Sequence, residues 1–181
     1  MKLAILRIGS INSDIIQDIG KQLSEIFPKT VCVILDIEMP TPKDSYDSRR
    51  NQFHSSLILA KVRQYAEKGA ADRVLGITNV DLYVPQLNFV FGEAECPGKV
   101  AIISLYRLRP EFYGQPSDST VFEKRSVKEA VHEIGHTLGL GHCRDPSCVM
   151  FFSNSVLDTD RKQSTFCGGC HSSVVKRLSV V

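Results

Sequence analysis

The sequence predicts an α/β fold with a small, mixed, mostly parallel twisted sheet that is backed by two helices. Short apolar, β-branched segments alternate with amphipathic segments over the first 80 residues, which is the pattern of parallel βαβ units. Two more apolar segments flank a CPG turn at Pro97, so we expect a hairpin that adds an antiparallel strand. The 181 residues, 43% of them hydrophobic, are enough to bury a core without disulfides.

Each element follows from its local residue pattern. The five predicted strands are Lys2 to Ile8, Val31 to Met39, Arg73 to Val80, Leu87 to Ala94 and Lys99 to Leu108. The second of these is expected to be buried because it is β-branched and bounded by prolines. A first helix begins after an N-cap at Asn12 or Ser13 and ends before Pro28. A second helix runs from Ser55 to Lys68 and is closed by Gly69.

A third helix is predicted over about 120–138, because Thr120 and Glu123 have the spacing of a capping box. The chain is expected to be a single domain, 1–181. Its N-terminal part, 1–142, holds the sheet and the third helix, and its C-terminal part, 143–181, holds a cysteine cluster.

Composition narrows the cellular setting and the partners. The net charge of +2 without a basic stripe argues against nucleic acid as a partner. The apolar segment at the N-terminus is interrupted by Arg7, and no segment has bilayer length, so we expect no membrane contact. We therefore expect a cytoplasmic monomer. In that compartment cysteines stay reduced, and clustered cysteines are more often metal ligands than disulfides.

The third helix carries a histidine pattern that can hold a metal. His132 and His136 are four positions apart, so they project from one helix face, with Glu133 beside that face. A continuing helix would turn His142 about 240° away from His136. Gly139 can end the helix in a positive-φ conformation and return His142 as a third ligand. A short HExxH string also occurs by chance. The prediction of a catalytic zinc with an open coordination position therefore depends on the additional presence of Gly139 and His142.

Four cysteines form two close pairs. Four residues separate Cys143 from Cys148, two glycines separate Cys167 from Cys170, and eighteen residues lie between the pairs. This spacing predicts a tetrahedral Cys₄ zinc site. Two disulfides or a redox CGGC pair are the alternatives, although a redox pair usually opens a helix after a strand. Among the remaining cysteines, Cys32 is expected to be inert core.

The string HEIGHTLGLGH resembles the long zinc motif of the metzincin metallopeptidases, and the cysteines that follow resemble those of one branch, the archaemetzincins. The resemblance implies a metzincin-type zincin with a short C-terminal zinc-bound subdomain and two Zn²⁺ ions per chain, one catalytic and one structural. It implies that His132, His136 and His142 bind the catalytic zinc and that Glu133 is the general base and acid. It also implies that Met150 is the Met-turn residue, beneath the zinc site.

The resemblance also suggests a substrate and shows one departure. The substrate would be a peptide or small protein, laid as an extended strand along Leu87 to Ala94, and cleavage from the amino end is compatible with the family. Some metzincins have a tyrosine two residues after the methionine, but here that residue is Phe152. An oxyanion stabiliser would then have to come from elsewhere in the chain. Tyr113 and, second, Tyr106 are the candidates, although we expect both to be structural. The second zinc would be structural and would position His142.

Two other functions remain open from the sequence. The Cys₄ segment, with nearby basic residues that include Arg161 and Lys162, could be a zinc-ribbon-like binding module for a protein or nucleic acid, with a degenerate peptidase site. The intact Glu133 argues against this, because a binding module does not need a general base. Hydrolysis of a non-peptide amide is equally compatible with the site chemistry.

Overall fold

A computed structural model describes residues 1–179 of the chain. The strands, numbered in chain order, are β1 (Lys2–Ile8), β2 (Val31–Met39), β3 (Tyr46–Asp47), β4 (Gln52–His54), β5 (Arg73–Thr78), β6 (Leu82–Tyr83), β7 (Gly92–Ala94) and β8 (Val100–Ser104). The α-helices are α1 (Ser13–Ile26), α2 (Ser55–Lys68), α3 (Ser119–Thr137), α4 (Val156–Arg161) and α5 (Gly168–Leu178). None of the described helices combines the length and apolar character needed to cross a bilayer.

The predicted mixed, mostly parallel sheet is confirmed. Its five strands lie in the order β2-β1-β5-β8-β7, and only the β7–β8 pair is antiparallel. Because side chains alternate along a strand, Ile5 of β1 joins the apolar cluster that contains α1 and α3, and Leu6 joins the cluster that contains α2. The sheet therefore separates α2 from the helix that carries the histidines.

Two expectations about the strands are wrong. β2 is an edge strand and not a buried one: Val31 is 64% exposed and Ile37 is 50% exposed. Only one face of β2 is covered: the residues that face α1, such as Cys32, are half-buried against the apolar cluster. The segment predicted from Leu87 to Ala94 forms a strand only at Gly92–Ala94, and the residues before it form a loop that crosses to β6 through a single Leu82–Val90 bridge.

The capping residues in the sequence predicted most helix ends correctly. Asn12 caps α1 by accepting a hydrogen bond from Asp14 N, and α2 has the predicted bounds. The cap of α3 differs from the prediction, because the Asp118 side chain accepts a hydrogen bond from Val121 N at 2.9 Å and starts the helix before Thr120. A small second sheet, β3-β4-β6, was not predicted, since strands of two or three residues give no periodic pattern.

The segment after α3 returns to pack along it. Arg125 of α3 forms a two-bond ion pair with Asp160, both bonds at 2.7 Å, and Lys128 Nζ donates to the Thr159 carbonyl at 2.9 Å. Val149 and Val174 join the same apolar cluster as α1 and α3. Residues on both sides of 142 thus share one core. The boundary between 1–142 and 143–181 stays a prediction.

Candidate metal centres and the cleft beside them

Helix α3 brings His132 and His136 together as the spacing predicts. Both lie on one face of the helix, and their Nε2 atoms are 3.0 Å apart. The Nδ1 atom of His132 is 2.8 Å from the Val149 carbonyl oxygen, and that of His136 is 2.7 Å from the Leu140 carbonyl oxygen. A carbonyl can only accept, so each Nδ1 must carry the proton and donate it. Each Nε2 therefore presents a lone pair to the other.

Two lone pairs at 3.0 Å repel each other unless a cation lies close to both. Burial lowers the pKa of His132 well below its ordinary range, and it also lowers the pKa of His136 and His142. The neutral imidazole that results is the form that binds metals. The donor set and its orientation thus fit a zinc ion.

The turn after α3 supplies the third histidine. Gly139 has φ +83°, and its N–H donates to the His136 carbonyl at 2.7 Å. This left-handed residue reverses the chain. The His142 ring then lies 5.4 Å from that of His132 and 4.9 Å from that of His136, between ring centroids. Ligand atoms of all three residues lie within 4.8 Å of one another.

Glu133 lies at the base of a cleft of about 770 Å³ that the three histidines also line. The side chain is 5% exposed, and its burial, with Glu129 nearby, raises the pKa of Glu133 well above its ordinary range. It packs against β7 at Gly92, where an added Cβ would lie 2.7 Å from Oε1. Any other residue at 92 would therefore displace this carboxylate. The cleft runs along the free edge of β7.

Met150 is fully buried and packs against α3 at Gly135. Gly135 lies between His132 and His136 on α3, and a Cβ there would collide with the Met150 sulfur. The absence of a side chain at 135 thus lets the methionine reach the helix. Phe152, two residues later, has its ring 4.8 Å from that of His142.

The four cysteines also converge. Their sulfur atoms lie within 4.8 Å of one another, and those of Cys143 and Cys167 are 3.8 Å apart. A tetrahedral zinc with bonds of about 2.3 Å places its sulfurs roughly 3.8 Å apart, whereas a disulfide requires about 2 Å. The geometry therefore fits zinc, and all six cysteines are free.

Backbone amides donate hydrogen bonds to two of these sulfur atoms. The N–H of Cys167 donates to Cys148 Sγ at 3.3 Å, and the N–H of Asp145 donates to Cys143 Sγ at 3.4 Å. A hydrogen bond from the backbone of Cys170 lowers the pKa of Cys167 to about 7, whereas burial raises the pKa of Cys148 and of Cys170. The CGGC segment does open a helix, α5, but α4 precedes it and not a strand. The sequence of elements thus differs from that expected of a redox pair.

Three residues that were considered for functional roles are not placed to fill them. Neither Tyr113 nor Tyr106 lines the cleft, and the Tyr113 hydroxyl donates to the Arg107 carbonyl. Neither is therefore placed to stabilise an oxyanion. Lys162, counted among the basic residues of a binding surface, is 1% exposed and its Nζ lies 2.9 Å from Glu129 Oε1. This is a close ion pair outside the angles of a good hydrogen bond, and it removes Lys162 from any docking surface.

Sequence reasoning also missed polar residues that line the cleft: His54, Ser56, Glu93 and Glu129. Helical periodicity could have found Glu129, which is one turn before Glu133. The others come from β4, α2 and β7, and no local pattern connects them.

Comparisons with known proteins agree with this geometry. The model of the family described as Peptidase family M54 matches residues 8–176. An archaemetzincin of Methanocaldococcus jannaschii is 46% identical over 170 residues, which cover 94% of this chain and 90% of the relative. The crystal structure of an archaemetzincin from Methanopyrus kandleri superposes with a TM-score of 0.84 at 37% identity, covering 99% of this chain and 96% of the other. That of a zinc-dependent peptidase from Methanocorpusculum labreanum has a TM-score of 0.86 at 30% identity, covering 95% and 99%.

The turn at Gly139 can be tested by Gly139→Ala. A left-handed alanine is strained by about 1–2 kcal/mol, and its Cβ would lie 2.6 Å from Arg177 Nη1. We expect a lower free energy of unfolding and weaker zinc binding by the histidines, measured by denaturation and by competition with a chelator. Gly141→Ala is the matched control, since its Cβ would meet nothing within 4 Å. Equal effects of the two substitutions would contradict the role given to Gly139.

Proposed function

The chain belongs to peptidase family M54 and is a zinc metallopeptidase, and from that premise we propose that Glu133 is its general base and acid. We further propose that the three histidines hold the catalytic zinc and the four cysteines hold a second, structural zinc. The observation that carries the proposal is the pair of Nε2 atoms that face each other at 3.0 Å while backbone carbonyls fix both Nδ1 atoms.

His132 and His136 would hold the catalytic ion through Nε2, and His142 through one ring nitrogen. Zinc bound there supplies a Lewis acid that lowers the pKa of a water toward about 7 and polarises a carbonyl group. The carbonyls of Val149 and Leu140 hold the two helical imidazoles in the required tautomer and orientation. Met150 would be the Met-turn residue, packed against α3 at Gly135 between the two helical ligands.

Glu133 would take a proton from the attacking water and pass it to the nitrogen of the leaving amine. Two features support this role. The carboxylate is held against Gly92 at the base of the cleft, next to the histidines. Burial raises the pKa of Glu133, and a carboxyl group with a raised pKa can hold the proton between the two steps.

A peptide or small protein would bind as an extended strand, with its backbone paired to the free edge of β7. Edge strands have unpaired backbone groups, and this edge runs beside Glu133. We expect the chain to act as a monomer. Phe152 lines the cleft without a hydrogen-bond donor, so its part would be to contact apolar substrate atoms.

The second zinc would position the third histidine. Cys143 is the residue after His142, and its N–H donates to the Met150 carbonyl at 2.9 Å. A metal that ties Cys143 to Cys167 would therefore fix the positions of His142 and Met150. The free energy of binding that metal would stabilise this part of the fold.

Glu133→Gln tests the general base. The substitution keeps the shape of the side chain, so zinc content should stay unchanged, while the rate of peptide hydrolysis should fall by about 10²–10⁴-fold. Zinc can be measured by mass spectrometry and turnover with a fluorogenic peptide mixture. Glu123→Gln, on the same helix and away from the cleft, is the control that should retain activity. Unchanged turnover in Glu133→Gln would remove Glu133 from the mechanism.

Cys167→Ser tests the coupling between the two centres. Loss of one thiolate should weaken the structural site, loosen Cys143 and His142, and so lower the affinity of the histidine site for zinc. Cys32→Ser, in β2 and a member of neither cluster, is the matched control and should leave that affinity unchanged. Full occupancy of the histidine site with unchanged affinity in Cys167→Ser would show that the centres are independent.

A further inference from the structure

We propose that Glu93 is a specificity-determining residue that binds a positively charged nitrogen of the peptide, close to the bond that is cut. The inference rests on the proposed function, because it takes the peptide to lie along β7. The charged nitrogen is either the free amino terminus of the peptide or the side chain of a lysine or arginine.

The place of Glu93 in the cleft follows from the register of β7. Gly92 pairs with Ile103 and faces α3, where it touches Glu133. Glu93 pairs with Ile102 and so points to the opposite face, where Ser56 Oγ at the start of α2 donates to Oε1 at 2.8 Å. The cleft is lined by residues from both faces of this edge. Glu93 therefore lines it one residue along β7 from Gly92, which contacts the general base.

Glu93 differs from two neighbouring carboxylates, Glu129 and Glu95, because it has no cation beside it. Glu129 is paired with Lys162 at 2.9 Å, and Glu95 is paired with Arg63. Glu133 has its own role in the proposed mechanism. Among the described residues, Glu93 forms no ion pair, and its Oε2 atom is buried without a hydrogen-bond partner.

A buried carboxylate oxygen without a partner is costly, and a cation is the partner that compensates it best. The same cleft is lined by apolar residues of the loop before β7, among them Val84, Pro85 and Leu87. Such a wall suits the methylene stem of a lysine or arginine, or the first side chain of a peptide with a free amino terminus. The cleft therefore combines one unpaired negative charge with apolar surface.

A purely structural role for Glu93 makes a different prediction. A carboxylate near the first turn of a helix stabilises that helix, and Glu93 accepts a hydrogen bond from Ser56 there. Loss of such a contact would lower the melting temperature and weaken all peptides alike. Recognition of a cation requires that the preference between charged and neutral peptides changes.

The test measures peptide binding to zinc-loaded Glu133→Gln protein, so that no peptide is consumed. One series of N-acetylated alanine hexapeptides carries lysine or norleucine at each position in turn. A second pair compares the alanine hexapeptide with a free and with an acetylated amino terminus. We expect a preference for the charged peptide of roughly tenfold in one of the two series, the size of one charge-assisted hydrogen bond.

A second substitution, Glu93→Gln, in this Glu133→Gln protein should abolish the preference for the charged peptide. Glu95→Gln, the same change two residues along the chain, is the control and should retain the preference. A lost lysine preference identifies a side-chain subsite, and a lost free-amine preference identifies an amino-terminal one. A charge preference that is absent, or that Glu93→Gln leaves intact, would overturn the inference. Hydrolysis by the wild-type chain is measured separately, so its absence would refute the proposed function without deciding the role of Glu93.

Discussion

The structure depends on one constraint: three imidazole rings from a helix and the turn after it must point their lone pairs at one place. The Nε2 atoms of the two helical rings lie 3.0 Å apart, a contact that is unfavourable without a cation. The protein holds it through two backbone carbonyls, from Val149 and Leu140, which accept from the opposite sides of the rings. The nearby glycines and the segment from 143 onward serve to hold these three histidines in position.

Glycine is required where the chain approaches this centre most closely. Gly92 leaves room for the Glu133 carboxylate, Gly135 leaves room for the Met150 sulfur, and Gly139 provides the left-handed turn that returns His142. The segment from 143 onward completes the arrangement, because it supplies both the carbonyl that orients His132 and the cysteine next to His142. It is held to α3 by the buried pair of Glu129 and Lys162 and by the ion pair of Arg125 with Asp160. The two candidate metal centres are thus parts of one packed unit.

The sequence predicted the features that depend on short spacings. Ligands four positions apart, a glycine before His142 and two cysteine pairs are local patterns, and α2 and β1 were predicted with their observed bounds. What failed depends on distant contacts. β2 has the composition of a buried strand, but its edge position follows from the order of the whole sheet. Glu93 meets Ser56 across 37 positions. The two tyrosines considered as oxyanion stabilisers lie in the 3₁₀ turns Tyr106–Leu108 and Pro110–Tyr113, outside the cleft.

The most direct test of the account is the zinc content of the intact chain, measured by native mass spectrometry beside that of His136→Ala. The substitution removes one imidazole from the centre and leaves the four sulfurs untouched. The account predicts two zinc ions in the wild-type chain and one in the variant. The same number of ions in both proteins would contradict it, because the facing imidazoles would then have a purpose other than holding a metal.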